Sequence, residues 1–274
     1  MTWHTPLHLD REKINAVQAQ LAYASQFVAA VGYTLAPATA DDSHTAMQWN
    51  VEKQWLEGIE ITATTSFKVV LTIPQLTLCI ITESNVVSSE FKLHKQTNQQ
   101  AFAWLTKQLH ELQPDGAVLK LIEYDYDPLP EYPVAHGAAF DASDVEAFSE
   151  YAHYFDNVLL ILASYRGSKD ATPLRVWPHH FDIALEIPAP QKEHEDATIG
   201  LGLCPTDSSH PAPYWYMATY PYTNPSNTSE LTPPGSWYVG TSWQGAALLV
   251  EDADQEIVKR FFSEAESGLR ATIV

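Results

Sequence analysis

A hydrophobic pattern typical of a long buried helix occurs twice in this chain. Apolar or small residues recur at alternating spacings of three and four over residues 14–31 and again over residues 145–162. This spacing places them on one face of a helix. A region with tryptophans and strand patterns follows each predicted helix, and a second amphipathic helix follows at residues 98–112 and 252–268. The sequence therefore predicts an internal duplication.

Between the predicted helices, the strand patterns are those of an antiparallel sheet. Phe67, Val69 and Leu71 alternate against Lys68 and Thr72. Pro74 marks a turn, and residues 76–80 alternate again. Two alternating runs joined by a short turn predict a hairpin. We predict an α+β fold of two similar halves, each with mainly antiparallel strands and two packing helices.

Three consecutive segments are predicted to make up the chain. Residues 1–113 form the first half, residues 114–143 a connector rich in Pro, Asp and Tyr, and residues 144–274 the second half. A connector of this length and composition is expected to pack along both halves through its tyrosines. These are Tyr124, Tyr126 and Tyr132.

Charge and segment length exclude several classes of partner. The chain has 34 Asp and Glu against 15 Lys and Arg, a net charge of −19, so we expect it to repel nucleic acid. The amino terminus lacks the apolar run of a signal peptide, and the longest apolar run, residues 158–163, is too short to span a bilayer. We expect a cytoplasmic protein without a membrane partner. No pattern identifies a cofactor or an oligomeric state.

A pair of acid-base side chains is predicted in residues 176–187. If this segment is one regular strand, His180 and Asp182 share a face, and His179 lies on the opposite, apolar face. A carboxylate beside an imidazole is the arrangement of many general acid-base pairs. His180, Asp182 and His210 are therefore the candidate catalytic residues, with an ordinary surface pair as the alternative.

Aromatic residues of the second half suggest a binding surface. Tyr214 and Tyr216 lie on one face of a predicted strand, and Trp237 and Trp243 are candidates for walls of the same cleft. Tyrosines offer flat apolar area with hydroxyl groups at the rim, which suits a sugar or another small polar organic ligand. The alternative is that these rings fill the core.

A metal site is a further possibility, with His180, Asp207 and His210 as candidate ligands. These residue types bind zinc, although the sequence has no HExxH or CxxC motif.

Ser208 and Ser209 lack the flanking glycines of a nucleophile elbow. The glycines Gly200 and Gly202 lack the lysine and following helix of a phosphate loop.

Three segments carry a resemblance to a known family. Through VWPHHFD, PYWYMATYP and LLVED, the chain resembles a bacterial family known as a domain of unknown function. The resemblance implies one continuous module and transfers no catalytic residue. From the residues we favour binding of a small molecule in an aromatic-lined cleft of the second half. A metal-dependent hydrolase and a structural or interaction module are the alternatives.

Overall fold

A computed structural model of the protein describes residues 1–63, 65–82, 86–113, 116–124, 129–167, 170–191 and 194–273. Five α-helices form within these residues: α1 Arg11–Leu35, α2 Asn98–Leu112, α3 Val145–Ile161, α4 Ala163–Arg166 and α5 Gln255–Thr272. Strands β1 to β5 are Gln48–Asn50, Trp55–Glu57, Phe67–Thr72, Thr77–Thr82 and Val86–Lys92. Strands β6 to β11 are Arg175–Val176, Ile183–Pro188, Thr198–Cys204, Tyr214–Tyr220, Ser236–Val239 and Gln244–Leu249.

The α+β class predicted from the sequence is confirmed. Helix α2 occupies the predicted residues, and β3 pairs with β4 as the expected antiparallel hairpin. A capping box at Thr97 and Gln100 fixes the start of α2, because each side chain accepts a hydrogen bond from the other residue's backbone N–H. Among the described residues, no helix combines the length and apolar content needed to cross a membrane.

Strand order differs between the two antiparallel sheets. The first is a meander, β1-β2-β3-β4-β5, in which every strand pairs with its neighbour in sequence. In the second, β7, β8 and β9 follow one another, but β9 pairs with β11, and β10 lies outside β11. Since the last two strands exchange places relative to a meander, the topology does not confirm the duplication, which stays a prediction.

Two compact units divide the chain, and neither is one continuous segment. The unit that we call the N-unit contains Glu12–Ala152 and Arg175–Phe181. The C-unit contains Met1–Arg11, His153–Leu174 and Asp182–Val274. The described part of the predicted connector lies within the N-unit, and the amino-terminal residues belong to the C-unit.

Helix α1 is buried on more than the predicted single stripe. From Val17 to Gly32 every residue except Tyr23 is buried, including polar side chains such as Gln26. Gln26 Nε2 donates to the carbonyl of Pro178 at 2.7 Å, and its Oε1 accepts from the Tyr124 hydroxyl at 3.0 Å. These bonds satisfy a buried amide. Tyr124 of the predicted connector thus contacts the first predicted half. Tyr126 lies outside the described residues, and packing of the connector along both halves stays a prediction.

Candidate ligand site

Asp207 organises the loop that leads into β9 in the C-unit. Its Oδ1 accepts from the backbone N–H of Ser209 at 2.7 Å and of His210 at 2.9 Å. The Asp207 N–H donates in turn to the His210 carbonyl at 3.1 Å. An aspartate that bonds to the backbone two and three residues ahead stabilises a tight turn. The turn therefore fixes the position of His210 before β9 begins.

The Ser209 hydroxyl connects three side chains, and their proton positions follow from the geometry. Ser209 Oγ lies 2.6 Å from Asp207 Oδ1, and a carboxylate can only accept, so the single hydroxyl proton points to Asp207. Oγ must then accept from Nδ1 of His210 at 2.8 Å. It also accepts from the indole N–H of Trp243 at 3.2 Å. His210 therefore carries a proton on Nδ1.

In the neutral ring, that tautomer leaves a lone pair on Nε2. Burial lowers the pKa of the His210 imidazole, and the nearby Asp207 carboxylate opposes this effect. The lowered pKa favours the neutral ring at pH 7. Within the described part of the chain no hydrogen bond is made by Nε2 of His210. This nitrogen can accept a hydrogen bond from a ligand.

Four rings meet around this turn, and we call them the aromatic corner: His210, Tyr214, Tyr238 and Trp243. His210 stacks on Tyr214 with centroids 4.1 Å apart, and Tyr238 stacks on Trp243 at 4.7 Å. Tyr214 is buried, whereas the other three rings are partly exposed. The Tyr214 hydroxyl donates to Asp207 Oδ2 at 2.8 Å. Burial raises the pKa of Tyr214 well above the usual range, and the negative charges of Cys204 and Asp207 raise it further.

The corner joins side chains from distant positions along the neighbouring strands β9 and β11. Leu249 of β11 pairs with Tyr214 of β9, and Trp243 directly precedes β11. Six residues of extended strand span about 20 Å, yet the rings of Trp243 and Tyr214 lie only 5.9 Å apart. The two rings therefore meet although the strand register places their backbones far apart.

A second polar contact lies on the same sheet face. Tyr216 donates from its hydroxyl to Asp182 Oδ2 at 2.8 Å, and Asp182 is buried. Burial and then the Asp182 charge raise the pKa of Tyr216 well above its usual value. Small residues pair beside it: Gly202 on β8 and Ala247 on β11 both lie opposite Tyr216. The hydroxyl bond of Tyr216 ties β9 to Asp182, the residue directly before β7.

Trp237 does not join the other predicted ligand residues. It pairs with Ala246, one position before the Tyr238–Gly245 pair, so its side chain points to the opposite face of the sheet. There the ring packs against Gly268 of α5, where an added Cβ would lie 2.5 Å from it. Its indole N–H donates to the Ser229 carbonyl at 2.9 Å. Of the four predicted ligand residues, Tyr214, Tyr216 and Trp243 share one side.

The prediction of a regular strand through residues 176–187 is wrong at its centre. Strand β6 ends at Val176, His179 and His180 lie in a turn, and Phe181 has φ of 56° before β7 begins at Ile183. A left-handed residue breaks the two-residue alternation of a strand. The prediction that His180 and Asp182 lie on one face of a strand therefore no longer holds, because no strand runs through these residues. Asp182 instead accepts from Tyr216, and His180 is exposed.

Metal-binding geometry is not found in the described ranges, where no group of three or more His, Cys, Asp or Glu side chains could hold an ion. Asp207 and His210 do lie together. The oxygens of Asp207, however, already accept four hydrogen bonds, from Ser209 twice, His210 and Tyr214. Metal coordination would have to replace some of these donors, so Asp207 acts as an organiser of the turn.

Sequence reasoning missed the role of Ser209, which was considered only as a nucleophile. The spacing Asp-Ser-Ser-His does indicate a turn, because an aspartate side chain can accept a hydrogen bond from the backbone N–H of the serine two residues later. The spatial partner Trp243 had no such signal, since it lies 34 residues away from Ser209.

Comparisons of the chain with models of protein families, with curated proteins and with solved structures find no match. The resemblance to a bacterial family of unknown function therefore stays a prediction.

Proposed function

We propose that the aromatic corner binds a small neutral molecule that has a flat apolar face and at least one O–H or N–H group, such as a sugar ring. The observation that carries the proposal is the hydrogen-bond chain from Asp207 through Ser209 to His210. It holds the imidazole in one tautomer, with its accepting nitrogen beside partly exposed aromatic rings. A ligand donor group pairs with Nε2 of His210.

Ring stacking supplies the apolar part of the site. Tyr238 and Trp243 are stacked at an interplanar angle of 29°, and the indole is anchored by its bond to Ser209. An anchored aromatic wall with a few fixed polar groups is the usual composition of a small-molecule site. Because the rings are already held by one another, little side-chain freedom is lost on binding.

The same proton positions argue against a serine nucleophile. A catalytic histidine must accept the serine proton, whereas Nδ1 of His210 donates to Ser209 and the hydroxyl proton points to Asp207. Ser209 is therefore a structural link. This supports binding over acyl transfer at the corner.

Saturation-transfer NMR tests the proposal with methyl α-D-glucopyranoside, methyl β-D-galactopyranoside and N-acetylglucosamine as probes. We expect transfer to the ring protons of at least one probe, and its loss in Trp243→Phe, which removes the indole anchor. Trp237→Phe is the matched control, because that tryptophan packs on the opposite face against α5. Equal transfer in both variants, or transfer to none of the probes, contradicts sugar binding at this corner.

A second variant separates recognition from folding. In His210→Asn the side-chain amide can still donate to Ser209, as Nδ1 does, but the acceptor at the position of Nε2 is lost. We expect this variant to melt near the parent temperature and to bind the active probe about tenfold more weakly, as the loss of one well-made hydrogen bond predicts. Unchanged affinity would remove His210 from the proposed site.

A further inference from the structure

The N-unit contains a polar pocket of about 310 Å³ that is separate from the aromatic corner. Its wall is formed by the loop after α1, the segment after β2, and one residue each from β1, β2, β3 and β6. The lining side chains that matter here are Ser43, His44, Glu57, Glu60, Lys68 and Arg175. Lys68 and Arg175 are cations, and Glu57 and Glu60 are carboxylates. The charges that line the pocket therefore cancel, although the chain as a whole has a net charge of −19.

His44 is a buried donor that reaches this pocket. Only 4% of the residue is exposed. The Thr39 N–H donates to Nδ1 of His44 at 3.2 Å, so in the neutral ring the proton is on Nε2. No described residue accepts from Nε2. Gly32 of α1 lets the backbone of His44 lie close to the helix, because an added Cβ at Gly32 would collide with the His44 carbonyl.

Arg175 is a second donor, and the described residues use only part of its hydrogen-bonding capacity. Its side chain is 22% exposed, and its Nη1 lies 3.5 Å from Oδ2 of the exposed Asp41. Hydrogen bonds from Ser43 chiefly lower the pKa of Asp41 to about 2, and the Arg175 charge is the smallest cause. The guanidinium also lies 6.0 Å from the Trp177 ring centroid, which restrains it. Arginine in such a position suits a carboxylate, which accepts two parallel N–H bonds.

The carboxylates of the pocket have different roles. Glu57 is committed, because its Oε2 lies 2.7 Å from Nζ of Lys68 and its Oε1 accepts from Asn50 at 2.7 Å. Glu60 is exposed and makes no ion pair or hydrogen bond with any described residue. It can therefore pair with a cationic group of a ligand.

We propose that this pocket binds a free α-amino acid as a zwitterion. Arg175 and Nε2–H of His44 bind the carboxylate, and Glu60 binds the ammonium group. The volume is at the lower end of the range for ligand pockets, which suits a molecule of this size. This inference does not rest on the function proposed for the aromatic corner.

Isothermal titration of the full chain tests the proposal with L-alanine, L-leucine and L-phenylalanine, which differ in side-chain size. Each is compared with its carboxamide, which lacks the negative charge, and with its N-acetyl derivative, which lacks the positive charge. We expect at least one free amino acid to bind. Both of its derivatives should bind with an affinity reduced by about tenfold or more, as loss of a charged hydrogen bond predicts. If none binds, or if either derivative binds as well as the free form, the zwitterion proposal is overturned.

Two variants identify the groups responsible. Arg175→Gln and Glu60→Gln should each weaken binding of the free amino acid about tenfold, whereas the exposed controls Arg166→Gln and Glu52→Gln should not. Thermal unfolding of each variant is measured in parallel. Should Arg175→Gln fail to fold, the exposed Glu60 still provides the test. Unchanged affinity in Glu60→Gln overturns the assignment of the ammonium site.

Discussion

The Tyr214 hydroxyl donates to Oδ2 of Asp207 at 2.8 Å, so the first residue of β9 is bound to the carboxylate that organises the preceding turn. The remaining bonds to Asp207 come from within the turn itself. This contact therefore couples the turn to β9, and the His210 ring stacks on the Tyr214 ring.

Tyr214→Phe should lower the free energy of unfolding by about 1 to 3 kcal/mol, because it leaves a carboxylate oxygen without its donor. Urea unfolding followed by far-UV circular dichroism measures this change. Tyr33→Phe is the control, since Tyr33 is 48% exposed. Equal stability of the two variants would show that the turn does not depend on its bond to β9.

His210 should be the Nδ1–H tautomer, with its pKa below the ordinary value of 6.5 because it is partly buried. Long-range ¹H–¹⁵N correlation spectra distinguish the two tautomers and give the pKa by titration. In Asp207→Asn, the amide can donate as well as accept, so we expect the tautomer preference to weaken. A parent spectrum with the proton on Nε2 would contradict the proposed hydrogen-bond chain.

Stability should fall as the pH is lowered from about 6.5 toward 4, in part because of His179. Burial, and then the charge of His180, lowers the pKa of His179 from 6.5 to about 4. Between these values the unfolded chain binds the proton more readily than the folded chain, so acid favours unfolding. His179→Gln should flatten this part of the stability profile. His8→Gln, at an exposed position, should leave it unchanged; an equal effect of both would exclude His179 as the cause.

Gly32→Ala should destabilise the protein, although alanine in a helix interior is normally more stable than glycine by about 1 kcal/mol. An added Cβ would collide with the carbonyl of His44, so the loop or the helix must shift. Thermal unfolding is the measurement. Gly167→Ala is the control, because its Cβ would lie 3.6 Å from the nearest neighbour and its φ is −78°. A higher melting temperature for Gly32→Ala would show that the loop yields without cost.

Elements governed by contacts between near neighbours in sequence could be predicted. Helix α2 begins and ends where the three-four spacing predicted, because contacts between residues three and four apart follow directly from the sequence. The β3–β4 hairpin was also predicted correctly. Alternation failed at Phe181, where the residues on both sides look strand-like but the backbone takes a left-handed turn.

By itself, the sequence determined the α+β class and most helix and strand positions, since burial periodicity is a local property. The tertiary structure alone decided that β11, and not β10, pairs with β9, and that the indole of Trp243 bonds to Ser209. The same holds for the pocket that gathers His44 and Arg175 from positions 131 residues apart. Such contacts depend on strand register and on closure of long loops, and no local pattern specifies these because many pairings satisfy the same alternation.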